Sequence, residues 1–187
     1  MQNVIFIAGT DTGVGKTVIT KLLARHLYAK GCDVVMQKWV ETGVIRSSAI
    51  FKFKLAASPH LAAKRERRKI SIARIKSTLR KASHEHALVL VEGTGGLMVP
   101  VTEKILLIDI VKELDIPVLL ICANRLGAIN HTLLSLEALK TRKMKVLGIV
   151  FNTISNKEDN LILKDNPRVV KKFIGKVPVW INGLRKI

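Results

Sequence analysis

Short, wholly apolar runs alternate along this chain with longer segments whose apolar residues recur every three or four positions. Val4-Ile5-Phe6-Ile7-Ala8 comes first and reads as a buried strand. Beyond a glycine-rich stretch, Val18, Ile19, Leu22, Leu23 and Leu27 keep helical spacing up to Gly31, a residue suited to end a helix. Asp33 to Gln37 predicts a second strand ending at Lys38, and Trp39-Val40-Glu41-Thr42-Gly43 reads as a short polar turn. Residues 44–60 show no clear period and are punctuated by Ser58-Pro59-His60. Ile72, Ile75 and Leu79 mark a basic amphipathic helix across residues 60–82 or part of them. Ala87 to Val91 predicts a buried strand, Ile105 to Leu114 a helix, and Pro117 to Ala123 a strand. Asn130 to Arg142 predicts a helix, and Val146 to Phe151 a strand that stops at Asn152. A last helix near Arg168 to Ile174 leads into a short strand from Val177 to Trp180.

The stretch between the first strand and the first helix carries the chemistry: Gly9-Thr10-Asp11-Thr12-Gly13-Val14-Gly15-Lys16-Thr17. A glycine-rich turn that leaves a strand and opens a helix with Gly-Lys-Thr is the setting of a phosphate-binding loop. Backbone N–H groups at Gly13, Val14 and Gly15 face an anion there, Lys16 reaches the β- and γ-phosphates, and the Thr17 hydroxyl suits Mg²⁺. Five residues separate Gly9 from Gly15 where the common pattern has four, and an ordinary glycine turn capped by Thr12 is the bland alternative. Strands that are apolar on both faces, alternating with helices, give the expected fold. It is α/β, a P-loop NTPase-like parallel β-sheet with helices on both faces, in a single domain over residues 1–187. Right-handed crossovers would bring the glycine loop, Lys38 to Gly43, Glu92 to Gly96 and Asn152 to one edge of the sheet, where ligands bind in such folds.

Glu92 follows five apolar residues, so it emerges from a buried strand where a lone charge is costly. Facing a phosphate loop, its carboxylate suits Mg²⁺; capping the next turn is the alternative. Lys38 also closes a strand and could balance charge on a transferred phosphoryl group. Asn152 could read a base through its amide or make an Asx turn.

Composition alters this picture at one point. The 187 residues hold 32 Lys and Arg against 14 Asp and Glu, a formal net charge of +18. Such a surplus attracts polyanions. The basic residues read as spread widely, however, and eight aromatics offer few stacking platforms, so nucleic acid is not expected as a partner. No run reaches the length of a membrane span and no cleavable signal precedes the first strand, so no membrane is expected. Cys32 and Cys122 lack metal-ligand spacing and read as reduced core thiols of a cytoplasmic protein.

Several segments together resemble one family. The loop Gly-Thr-Asp-Thr-x-Val-Gly-Lys-Thr, with its five-residue interval, is similar to that of dethiobiotin synthetases. So are Ser58-Pro59-His60-Leu61-Ala62-Ala63, the run Val91-Glu92-Gly93-Thr94-Gly95-Gly96-Leu97-x-Val99-Pro100, and Leu126-Gly127-x-Ile129-Asn130-His131. The resemblance covers roughly residues 3–152. It implies an ATP- and Mg²⁺-dependent ligase. In that family 7,8-diaminononanoate takes up CO₂ as a carbamate, the carbamate attacks the γ-phosphate, and the second amine closes the mixed anhydride to a cyclic urea. By motif position Lys16 holds the phosphates, and Thr17 and Glu92 hold the metal. Thr12, Lys38 and Thr42 surround the carbamate and phosphoryl group, Gly127, Ala128, Ile129 and Asn130 bind the substrate carboxylate across a homodimer interface, and Asn152 contacts adenine. The chain departs from the family at Trp39, where a proline is usual, and in residues 44–57, where the family has a helical insert with a metal-binding Asp and this chain has no acid. It reads as a shortened member. Of the nearby acids, Glu41 is expected on the face opposite Lys38 and Thr42, which leaves Asp11 as the other candidate for the metal. Two readings compete with the ligase: another ligase of the same fold, and a basic nucleotide-binding module with lost or altered activity.

Overall fold

The computed structural model describes residues 3–154 and 158–182. Six parallel strands form one sheet in the order β2-β5-β1-β6-β7-β8. They are β1 (Val4–Gly9), β2 (Val34–Lys38), β5 (Leu88–Glu92), β6 (Val118–Ala123), β7 (Val146–Asn152) and β8 (Val179–Asn182). A small second sheet pairs β3 (Val40–Thr42) with β4 (Phe51–Phe53), also in parallel. Helices α1 (Lys16–Ala29), α2 (Pro59–Arg65), α3 (Ile72–Glu85), α4 (Leu107–Glu113), α5 (Ala128–Thr141) and α6 (Asn160–Phe173) fill the connections.

Alternation along the central strand separates two cores. Val4, Phe6 and Ala8 of β1 face a large apolar cluster with Val89, Leu120 and Phe151, closed by residues of α2 to α6 such as Ala62, Leu79, Ile108, Leu139 and Val170. Ile7 faces a smaller cluster with Leu119, Ile121 and Val150, to which α1 contributes Ile19. Helices thus cover both faces, as the apolar strands require, but unequally.

Two local expectations are corrected, and a third, the amphipathic helix over part of residues 60–82, is α3. Trp39 to Gly43 is not a polar turn: the chain leaves the main sheet at Trp39, whose ring is buried against Phe6 with centroids 5.5 Å apart, and continues as β3. The stretch over residues 60–82 is two helices. Arg67 adopts a left-handed φ of 53° after α2, and Ser71 caps α3 by accepting from the Arg74 N–H at 3.2 Å. The last helix starts eight residues earlier than Arg168, at Asn160, with Asp159 as its cap. It runs through Pro167 because the Leu163 carbonyl that the missing N–H leaves free accepts from Asn124 Nδ2 at 2.9 Å. Cys122 is buried, as expected, and burial pushes its thiol up to about 12; Cys32 is only half-buried.

Candidate active site

The glycine loop is shaped by backbone first. Gly15 sits at φ 88°, ψ 25°, and a Cβ there would lie 2.1 Å from Asn152 Nδ2, so both conformation and space demand glycine. No side chain caps α1 and no acid occupies its first turn, which leaves the free N–H groups and the positive helix end for an anion. Lys16 is 8 % exposed and folds back across the loop. Its ammonium donates to the carbonyls of Gly95 at 2.8 Å and Asp11 at 3.1 Å. Burial pulls its pKa down from 10.5 to about 8, against the opposing pull of Glu92.

Sheet register supplies the facing wall. β2 pairs with β5 so that Lys38 lies beside Glu92 at the carboxyl end of both strands. Glu92 Oε1 accepts from the Thr17 hydroxyl at 2.6 Å and stands 3.1 Å from the Lys38 ammonium. Lys38 also reaches Glu41 Oε1 at 2.5 Å. Burial works against the Lys38 ammonium, but the Glu41 hydrogen bond and the Glu92 charge outweigh it and hold its pKa above the ordinary value. A cavity of about 660 Å³ opens over these groups, and Thr12, Gly13, Gly15, Lys16, Thr17, Lys38, Thr42 and Glu92 all line it. Val14, within the loop, has its side chain buried.

Thr17 and Glu92 offer hard oxygen donors side by side. Among the described residues no cluster of three or more His, Cys, Asp or Glu is placed to hold a metal ion. One carboxylate and one hydroxyl beside a phosphate loop fit Mg²⁺, which keeps several waters and is held largely by substrate phosphates.

Other expected residues lie elsewhere. Asp11 accepts from the Thr12 N–H at 2.6 Å and stands 3.9 Å from Arg125, away from Glu92. Glu41, expected on the far face, points instead into the main cavity, because the chain turns at Trp39 and strand alternation does not carry across the turn. Gly127, at φ 87°, starts α5 beside a separate cavity of about 200 Å³ that Ala128, Asp11 and Arg125 also line. Ile129 and Asn130 follow in its first turn. Within one chain this segment therefore does not share the Lys38 cavity. Asn152 is 2 % exposed; its amide donates to the Val14 carbonyl at 3.0 Å and accepts from Asn182 at 2.8 Å, bracing the loop from below.

The sequence reading missed the polar brace behind Gly127. Buried Asn166 of α6 donates to Asn124 Oδ1 at 2.9 Å and to the Arg125 carbonyl at 3.0 Å. Its signal was weak: two asparagines 42 residues apart, one of them next to Pro167 in a helix that was expected to begin only near Arg168.

A family model described as an AAA domain matches residues 3–182. An ATP-dependent dethiobiotin synthetase of Haemophilus influenzae is 37 % identical over 189 residues, covering 89 % of this chain and 99 % of the relative. The chain belongs to the dethiobiotin synthetase family. A second synthetase of that name, from Methanococcus vannielii, is 34 % identical and covers 81 % of this chain and 80 % of its own. Against the Haemophilus synthetase the chain spans nearly the whole relative, so the shortening expected from residues 44–57 is local at most. Solved structures agree in fold. The septum site-determining protein MinD of Pyrococcus horikoshii, complexed with Mg-ADP, superposes with a TM-score of 0.60 at 14 % identity over 95 % of this chain and 79 % of its own. A ParA family ATPase of Chlorobium tepidum gives 0.62 at 13 % identity over 100 % and 86 %. At such identities the likeness shows the P-loop NTPase fold alone, and the synthetase motifs distinguish this chain from those neighbours.

Proposed function

We propose that the chain catalyses ATP-dependent closure of the cyclic urea of dethiobiotin from 7,8-diaminononanoate and CO₂. The observation that carries this reading is the meeting of Thr12, Lys16, Thr17, Lys38, Thr42 and Glu92 around one cavity in a member of this family. One amine of the substrate adds CO₂ and loses a proton to give a carbamate. A carbamate oxygen then bonds to the γ-phosphorus as the bond to the bridging oxygen breaks, with ADP leaving. The second amine attacks the carbamoyl carbon, phosphate departs, and the ring closes with loss of a proton.

The chain's own groups act by placement and charge. Lys16 exchanges its two carbonyl partners for phosphate oxygens, and the open start of α1 adds backbone donors. Lys38 faces the transferred phosphoryl group from the opposite wall, with the Thr12 and Thr42 hydroxyls beside it. Thr17 and Glu92 would hold Mg²⁺, which when bound neutralises phosphate charge. Asn152 is assigned to adenine: it lies beside Gly15 at the end of β7, and an amide's two donors and two acceptor sites exceed the two bonds described. Gly127 to Asn130 is assigned to the substrate carboxylate of a partner subunit, since an uncapped helix start suits an anion and the segment is remote from Lys38 within its own chain. The proposal includes a homodimer as the working form, with one synthetase domain per chain, acting in the cytoplasm. Among the described residues no helix is long and apolar enough to cross a membrane.

Phosphate release measured with ATP, the diamine and bicarbonate tests the reading. Release should require all three; release independent of the diamine, or none, would overturn it.

A further inference from the structure

Glu41 is engaged at both oxygens and belongs to no role assigned so far. Oε1 accepts from the Lys38 ammonium at 2.5 Å, and Oε2 accepts from the Ser47 hydroxyl. Ser47 Oγ in turn accepts from the Ala49 N–H at 3.0 Å, which folds the loop between β3 and β4 onto the carboxylate. The loop is pinned at its base as well, where Ile50 N–H donates to the Lys38 carbonyl at 3.0 Å and Phe51 N–H to the Trp39 carbonyl at 2.9 Å. On the other side of the cavity, Thr94 Oγ1 donates to the Val40 carbonyl, tying β3 to the segment after Glu92. The result is a continuous polar chain, Ser47 to Glu41 to Lys38 to Glu92 to Thr17, that runs from the β3–β4 loop to the start of α1.

A lysine side chain has four rotatable stem bonds, and a lone carboxylate does not fix where its ammonium points. Glu92 alone is a poor anchor for Lys38, because the same Oε1 also accepts from Thr17. Glu41 supplies an anion with no second cation of its own among the described residues, and Ser47 fixes that carboxylate's orientation. Its side chain is 27 % exposed and faces the cavity, so the pair is shielded enough to hold and close enough to the reacting groups to matter.

We propose that Glu41 is a positioning residue that tethers the Lys38 ammonium over the cavity, with Ser47 as its brace. The inference rests on the phosphoryl-transfer reading of this site. Where Glu92 would be engaged with Thr17 in holding a metal, Glu41 would keep Lys38 aimed at the group in transit. Lys38 then meets the transferred phosphoryl without searching rotamers, which lowers the barrier and leaves ground-state nucleotide binding untouched.

Two measurements on the full chain test this. In steady-state assays Glu41→Gln should lower kcat about tenfold or more, with the KM for ATP and the melting temperature unchanged. Ser47→Ala should give a smaller loss of the same kind, and Glu41→Asp should recover part of the activity. In crystals of the nucleotide-free protein, Glu41→Gln should show Lys38 Nζ displaced or without a single position, against one position in the parent. Parental kcat in Glu41→Gln overturns the proposal, as does a joint fall in kcat, ATP affinity and melting temperature, which marks a purely structural residue. An unmoved Lys38 in the variant crystal overturns it too. A parent without diamine-dependent phosphate release sinks the functional reading instead, and the crystal comparison still decides the role of Glu41.

Discussion

Lys16 concentrates the residue-scale consequences. Its ammonium is buried on two carbonyls, where burial disfavours the charge and lowers its pKa. Lys16→Ala is therefore expected to weaken ATP binding by about a hundredfold or more, through loss of charge-assisted contacts, without lowering the melting temperature; calorimetric titration and a thermal scan read the two. The lowered pKa adds a pH signature. Between about 8 and 10.5 the unfolded chain binds the proton that the folded one has released. Stability of the ligand-free protein should thus rise with pH across that window, and Lys16→Ala should remove the rise. ATP needs the charged form, so its affinity should fall by up to about tenfold per pH unit above 8. At the metal, Glu92→Gln should raise the Mg²⁺ needed for half-maximal phosphate release by about tenfold, since a hard dication loses its protein carboxylate; an unchanged requirement would place the ion elsewhere. The places of the loop, Lys38 and Glu92 were legible in the sequence because each stands at the end of an expected strand. Glu41 was not, because strand alternation was carried across Trp39, where the chain changes sheets.

Among the elements, those with a plain period were readable and those defined by tertiary partners were not. Phe51-Lys52-Phe53 does alternate, but three residues are too few to announce a strand without its partner β3. The start of α6 was hidden by Pro167, which forbids a helix on local grounds; Asn124 lifts that bar by taking the orphaned Leu163 carbonyl. That carbonyl provides a test. Asn124→Ala leaves it and the Asn166 amide without this partner, which should cost about 1–3 kcal/mol in urea denaturation. The same substitution should loosen the Arg125 to Gly127 turn and raise the KM for the diamine more than that for ATP.

For the whole molecule, the assigned second site at Gly127 requires two chains. Sedimentation equilibrium at micromolar concentration should show a dimer, and a monomer alone would remove the partner-subunit assignment. The positive charge is less even than it reads at first: residues 44–82 hold twelve Lys and Arg and one acid. Four of these twelve are occupied within the fold. Arg68 lies 4.9 Å over the Phe53 ring and donates to the Lys52 carbonyl, Arg74 lies 5.6 Å over Phe51, and Lys64 and Lys76 pair with Glu103 and Glu113. Any DNA affinity should therefore be weak, micromolar or poorer at physiological salt, and should vanish as salt rises; fluorescence anisotropy with duplex DNA checks this.

The strand order 2-5-1-6-7-8 also sets a timetable for synthesis. β1 leaves the ribosome first, yet its two neighbours are β5 and β6, and Val4 pairs with Val89. β2 must wait for β5 as well. At about 5–20 residues per second, two apolar strands stay unpaired for on the order of ten seconds in every round of translation. The nascent chain thus carries an adhesive front half until its middle arrives, and the strand that bears the phosphate loop gains its second neighbour only when β6 has been made.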